Sequence, residues 1–194
     1  MKTIIVLVLF LAGCSATYTS YTPSRVNYGN HHVSNGVEFS YTYDVLNTLG
    51  NSRYASYEKD EHINIIAVKV KNTRNEDISF TTDNLKLLID NANKHVMSPE
   101  RVSDDMSQNV WTYLLWSLVT LNINTETSSS TYPIGIPIAL FNVIGSSSAN
   151  SKFGDDLENY NIYNTKIKAN ETKYFFIGVQ YTNYNPIKFE FNPN

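Results

Sequence analysis

Short runs of alternating apolar and polar residues, broken by polar turns, constrain this chain more than any other feature. Val37-Glu38-Phe39-Ser40-Tyr41-Thr42-Tyr43-Asp44-Val45 alternates throughout, the period of two that a strand with one buried face requires. Ile63 to Val70 does the same, with Ile66, Val68 and Val70 on one face and Lys69 and Lys71 on the other. Between these two runs, a stretch containing Gly50-Asn51-Ser52 reads as a loop. Ile78-Ser79-Phe80 and Leu85-Lys86-Leu87-Leu88-Ile89 are further strands, and Asp90-Asn91-Ala92-Asn93 is a turn leading into Lys94 to Met97. Near the other end, Tyr174-Phe175-Phe176-Ile177-Gly178-Val179-Gln180-Tyr181 is apolar enough for a central strand buried on both faces. Ile187-Lys188-Phe189-Glu190-Phe191 alternates once more.

Strands divided by turn signals at intervals near ten residues point to a sandwich or barrel. The order predicts a mainly β fold over 37–194, an immunoglobulin-like antiparallel sandwich whose last strands pair back against its first. Tyrosine contributes 14 residues to an aromatic content of 13%, which suits strands and polar turns better than a helical bundle. Cys14 is the single cysteine, so no intrachain disulfide can form and the core alone must hold the fold.

An insert at about 100–160 interrupts this pattern. Val110-Trp111-Thr112-Tyr113-Leu114-Leu115-Trp116-Ser117-Leu118-Val119 is apolar nearly all round. Ser103-Asp104-Asp105 before it reads as a helix start. After a Ser/Thr-rich break at 125–131, Pro137 suits the first turn of a second helix. Phe141, Gly145, Ala149, Phe153 and Leu157 then recur every four residues along one face. The expectation is that these helices cover the sandwich as core. The sharper alternative is an apolar hairpin that meets lipid or an apolar partner, with Trp111, Trp116 and Phe141 as candidate apolar-binding residues. Each apolar run is too short to span a bilayer.

The beginning of the chain carries a second message. Lys2 gives a positive start, Ile4 to Phe10 form an unbroken apolar run, and Leu11-Ala12-Gly13-Cys14 closes it. That is the layout of a secretory signal, and it resembles the bacterial lipoprotein signal. The resemblance implies diacylglycerol on the Cys14 thiol and cleavage between Gly13 and Cys14, leaving 1–13 as signal peptide. It also implies attachment to the cell envelope, and Ser15 rather than Asp after Cys14 favours the outer membrane. The polar stretch 14–36 reads as a flexible tether between lipid and domain. Within the domain, Val68-Lys69-Val70-Lys71-Asn72, the Leu85-to-Asp90 strand and turn, and Ile167-Lys168-Ala169-Asn170-Glu171-Thr172 resemble telokin-like, immunoglobulin-fold envelope lipoproteins. Those proteins commonly have glycine where Asn170 stands. The resemblance implies a fold and a location, and no reaction.

Residues that could carry chemistry are sparse. No Gly-x-Ser-x-Gly turn, His-Glu-x-x-His spacing, phosphate loop or calcium loop is present. His31-His32 lies in the tether and reads as solvated rather than as a metal site. Glu61-His62 reads as exposed charge flanking a strand. Asp104-Asp105 and Asp155-Asp156 read as acids near helix starts, where they offset the dipole, before they read as an acid–base pair. Asn170-Glu171-Thr172 fits a glycan acceptor pattern and reads as a turn. A net charge of -3 without a basic run gives nucleic acid no electrostatic hold. The sequence therefore predicts no catalytic residue, metal or cofactor. It predicts a lipid-anchored structural or interaction module, with a protein of the envelope as its partner. The alternative is a binder of apolar or glycan ligands through the insert.

Overall fold

The computed structural model describes residues 16–125 and 127–193. Helix and strand each make up 33%, so the chain is a mixed α and β fold with antiparallel sheets rather than mainly β. It divides into two compact units. The larger comprises Thr19–Met106 and Phe153–Asn194; the smaller comprises Ser107–Lys152 together with residues up to Tyr18.

In the larger unit, β1 (Asn30–Ser34), β2 (Val37–Thr42), β3 (Ile63–Asn72) and β10 (Thr172–Gln180) form a four-stranded antiparallel sheet in the order β1-β2-β3-β10. A second sheet runs β11 (Ile187–Phe191), β5 (Leu85–Ile89), β6 (Ala92–Lys94). A short ladder joins β4 (Ile78–Ser79) to β9 (Lys166–Ile167). The sequence alternation fixes the register. Phe39 stands opposite Val70, Val68 opposite Phe175, and Phe189 opposite Leu87. Both sheets contribute these side chains to one buried apolar cluster. Phe39 and Phe189 stack across it with centroids 4.7 Å and planes 6° apart.

The other face of β3 and β10 is buried as well over Ile63–Val68 and Phe175–Val179, because helices cover it, whereas β1 and the outer face of β2 stay at least partly exposed. Helix α2 (Ser52–Asp60), preceded by the single turn α1 (Val45–Thr48), arises where a loop is expected. Its buried residues are Tyr54, Ala55 and Glu58, which share one helical face. The acid in that stripe hides it from an apolar count. Helix α3 (Pro99–Met106) lays Val102 over Gly178, and Phe153 at the end of the long helix contacts the rings of Tyr54 and Phe176.

Strand β10 has both faces buried, yet it is the last strand of its sheet rather than a central one. Its free edge is occupied. Phe176 N–H donates to Tyr160 O at 2.9 Å, and Met97 N–H donates to Gly178 O at 2.9 Å. The last strands pair with β3 and β5, not with the first strands. Only the end of β11 reaches β1, through Phe191 N–H to Ser34 Oγ at 3.0 Å. At the turn before β10, Asn170 adopts φ 60°, the left-handed conformation that glycine otherwise supplies.

Residues 19–36, read as tether, belong to this unit. Thr19 and the Asn51 side chain exchange two hydrogen bonds, of 2.7 and 2.9 Å. Tyr21 is 3% exposed, stacks 4.8 Å from Phe176, and donates its N–H to Asp156 Oδ2 at 2.6 Å. Strand β1 follows, closed onto β2 by Asn35-Gly36 with φ of 47° and 76°, the two-residue hairpin turn that Asn-Gly favours.

The smaller unit contains α4 (Val110–Leu114), a 310 turn at Leu115–Leu118, a hairpin of β7 (Leu121–Asn124) and β8 (Ser129–Tyr132), and the first turns of α5 (Gly135–Asn159). The expected first helix is thus cut to little more than one turn. Its cap is Asn109, whose side chain accepts from Trp111 N–H at 3.0 Å, and not the 103–105 run. Gly135 is required where α5 begins, since a Cβ there would lie 1.8 Å from Trp116 O.

Gly178 gives the larger unit a direct test. A Cβ at this position would lie 2.4 Å from Val102 Cγ2, inside a fully buried contact. Gly178→Ala is expected to cost about 1–3 kcal/mol in chemical denaturation. Combining it with Val102→Ala should recover part of that loss in a double-mutant cycle, because the second change opens the space that the first one needs.

Candidate functional site

The smaller unit buries polar side chains among a few apolar ones and leaves its largest apolar side chains outside. In the first turns of α5, Asn142 and Ser146 are fully buried while Leu140, Phe141 and Ile144 stand in solvent, Phe141 at 66% exposure. Trp111 is 78% and Leu118 76% exposed, Leu115 and Ile136 are also exposed, and Trp116 is half-buried. The expectation that the insert's apolar side chains are core therefore fails for these residues, while Tyr113, Ile138 and Ala139 are buried. The four-residue stripe is correct only for Ala149, Phe153 and Leu157; Phe141 lies off it, and the buried line passes instead through Ile138, Asn142 and Ser146. Leaving a large apolar side chain in water forfeits about 1.5–3 kcal/mol of burial each, so this face is a cost unless something covers it.

Gln108 holds the interior of this unit. It is 2% exposed, and its amide is engaged on every side. Its N–H donates to Asn150 Oδ1 at 2.8 Å, and Asn150 Nδ2 returns a bond to Gln108 O at 2.9 Å. Tyr113 OH donates to Gln108 Oε1 at 3.3 Å, and Ser146 Oγ lies 3.5 Å from the same atom. The side chain also clamps Ala16 as a strand partner would: Gln108 Nε2 donates to Ala16 O at 2.9 Å, and Ala16 N–H donates to Gln108 Oε1 at 3.3 Å. Hydrogen bonding offsets the desolvation of these buried polar groups. Cys14 and Gly13 lie outside the described residues, two and three positions before that clamp.

A second candidate lies in the larger unit. A cleft of about 490 Å³ is lined by Glu58, Lys59, His62, Asn64, Thr182, Asn183 and Tyr184. Burial pushes the Glu58 carboxyl up to about 7, although Ile65 N–H, donating to Oε1 at 2.6 Å, acts to lower it. This bond ties α2 to β3, so Glu58 serves the fold first. His62, two residues beyond the end of the helix, takes a left-handed backbone at φ 56°. Of the Glu61-His62 pair, His62 thus edges a cleft that sequence spacing does not reveal.

The remaining candidates are dispersed. His31 and His32 are on β1, His31 exposed and His32 half-buried, with His31 Nδ1 3.3 Å from Ser40 Oγ. Asp105 sits in the last turn of α3 rather than at a helix start and pairs with Arg101 at 2.7 Å. Asp155 and Asp156 are near the end of α5, where Asp156 receives Tyr21 N–H, so neither acidic pair offsets a helix N-terminus. Among the described residues no group of three or more His, Cys, Asp or Glu could hold a metal ion, and no helix is long and apolar enough to cross a membrane. Comparison with protein-family models, curated proteins and solved structures gives no match.

Two measurements follow. The folded state holds a proton on Glu58 up to about pH 7, whereas the unfolded chain releases it near 4.5. Stability should therefore be greatest below pH 4.5 as far as this group is concerned, and fall by on the order of 1–3 kcal/mol as pH rises to 7. Glu58→Gln keeps the acceptor and should flatten that slope in thermal melts. Separately, Gln108→Ala should destabilise the smaller unit by about 1–3 kcal/mol, the cost of orphaning its partners. Tryptophan emission reads this directly, because Trp111 and Trp116 are the only two in the chain.

Proposed function

We propose that this chain is an envelope lipoprotein, anchored through diacylglycerol on Cys14 after cleavage at the Gly13–Cys14 bond. In this reading it works as a non-catalytic structural or interaction module on the outer membrane. The observation that carries it is the run from Lys2 through Ile4–Phe10 to Leu11-Ala12-Gly13-Cys14, which ends on the sole cysteine. The Ala16–Gln108 clamp supports it, since it gives the chain immediately after Cys14 a defined seat on the protein. Two antiparallel sheets sharing one core support the finer reading of the larger unit as a variant immunoglobulin-like, telokin-like sandwich with an added helical layer.

The exposure of Trp111 and Phe141 favours a second reading, a binding module for an apolar or glycan ligand. Metabolic labelling with a fatty acid, followed by fractionation, decides the anchor. Wild-type protein is expected to take up label and sediment with membranes, and Cys14→Ser to lose both. A Cys14→Ser protein that still labels would refute the assignment.

A further inference from the structure

We infer that the exposed apolar side chains of the smaller unit, Trp111, Leu115 and Leu118 along α4 and the turn after it and Leu140, Phe141 and Ile144 along α5, seat in the acyl region of a lipid bilayer. This rests on the anchor reading for its position and on the unit's own construction for its chemistry.

Position comes from the clamp on Ala16. Two residues reach at most about 7 Å, so a lipid on Cys14 holds Gln108 within that distance, plus the length of the lipid's own linkage, of the membrane surface. Trp111 follows Gln108 by three positions, a further reach of at most about 10 Å. A protein on a long flexible tether could turn any side toward the membrane. One gripped at Ala16 presents the region around Gln108, and exposed Trp111 lies three residues from it.

Chemistry comes from charge and from the apolar side chains left outside. From Ser107 to Ser151 the sequence has one charged residue, Glu126. A partner recognised through ion pairs would find little to engage, whereas a hydrocarbon surface requires charge to be absent. Gln108, Asn142 and Ser146 are buried along with Tyr113, Ile138 and Ala139, while the larger aliphatic and aromatic groups stand outside, a distribution that suits surroundings of low polarity. Tryptophan also suits the boundary between headgroups and acyl chains. Partial insertion is consistent with the absence of a spanning helix among the described residues.

The test uses a Trp116→Phe variant, which leaves Trp111 as the single tryptophan, purified from envelopes in detergent and reconstituted into vesicles of phosphatidylethanolamine and phosphatidylglycerol. The expected result is a blue shift of Trp111 emission and quenching by spin labels on the acyl chains. Adding Leu118→Asp and Phe141→Asp should abolish the quenching while leaving the circular dichroism spectrum unchanged. Protein that carries lipid and binds vesicles, yet shows unquenched Trp111, overturns the inference and leaves the anchor reading intact. Should mass spectrometry find a bare thiol, the anchor reading falls. The quenching is then measured with Cys14 coupled to a maleimide headgroup lipid, where an unquenched Trp111 overturns the surface as well. Shielding of Trp111 in a dimer without lipid, unchanged by vesicles, assigns the face to a second copy and overturns the proposal.

Discussion

Strand β3 is the member on which the larger unit depends. It is flanked by β2 and β10 and covered by the second sheet on one face and by helices on the other, so Ile63 to Val68 are all buried. Close packing of this kind leaves no slack. It explains why Gly178 must lack a side chain beside Val102, and why Glu58 is drawn into the interior to satisfy Ile65 N–H. With one cysteine in the chain, cooperative burial takes the role that a disulfide would otherwise fill.

The smaller unit follows the opposite rule. Its order draws on a hydrogen-bonded knot on Gln108 beside a small buried set that includes Tyr113, Ile138 and Ala139, and its largest apolar side chains are displayed outside. Such a knot is directional where an apolar core is not, so it can help fix Ala16, α4 and the first turns of α5 in one geometry. The two units thus illustrate two separate ways of specifying a backbone within a single polypeptide.

How much of this was legible in the sequence depended on whether a residue's environment could be inferred from its neighbours alone. Strands β2, β3, β5, β10 and β11 could be read because alternation encodes one buried face, and Tyr174 to Tyr181 correctly announced burial on both. What alternation cannot show is a helix layered on the sheet. Helix α2 escaped notice because its buried stripe includes Glu58, and β1 because Asn30-His31-His32-Val33-Ser34 has almost no buried face. Asn35-Gly36 was the available signal for β1, a short hairpin code sitting inside a stretch whose composition suggested a tether. In the insert, an apolar run by itself implies burial. Only the partners of Gln108, distant by 38, 42 and 92 positions, reveal that the polar residues point inward. Long-range hydrogen bonds of that type leave no periodic trace.

The finished edge of β10 has a consequence for how copies of this protein meet one another. Strands at the rim of a sheet invite neighbours to add on and grow into fibrils. Here Tyr160 and Met97 occupy the hydrogen-bonding groups at Phe176 and Gly178 on one rim. The opposite rim, β1, offers asparagine, histidine and serine in place of a greasy ribbon. Neighbouring copies can therefore jostle at high density without zipping their sheets together.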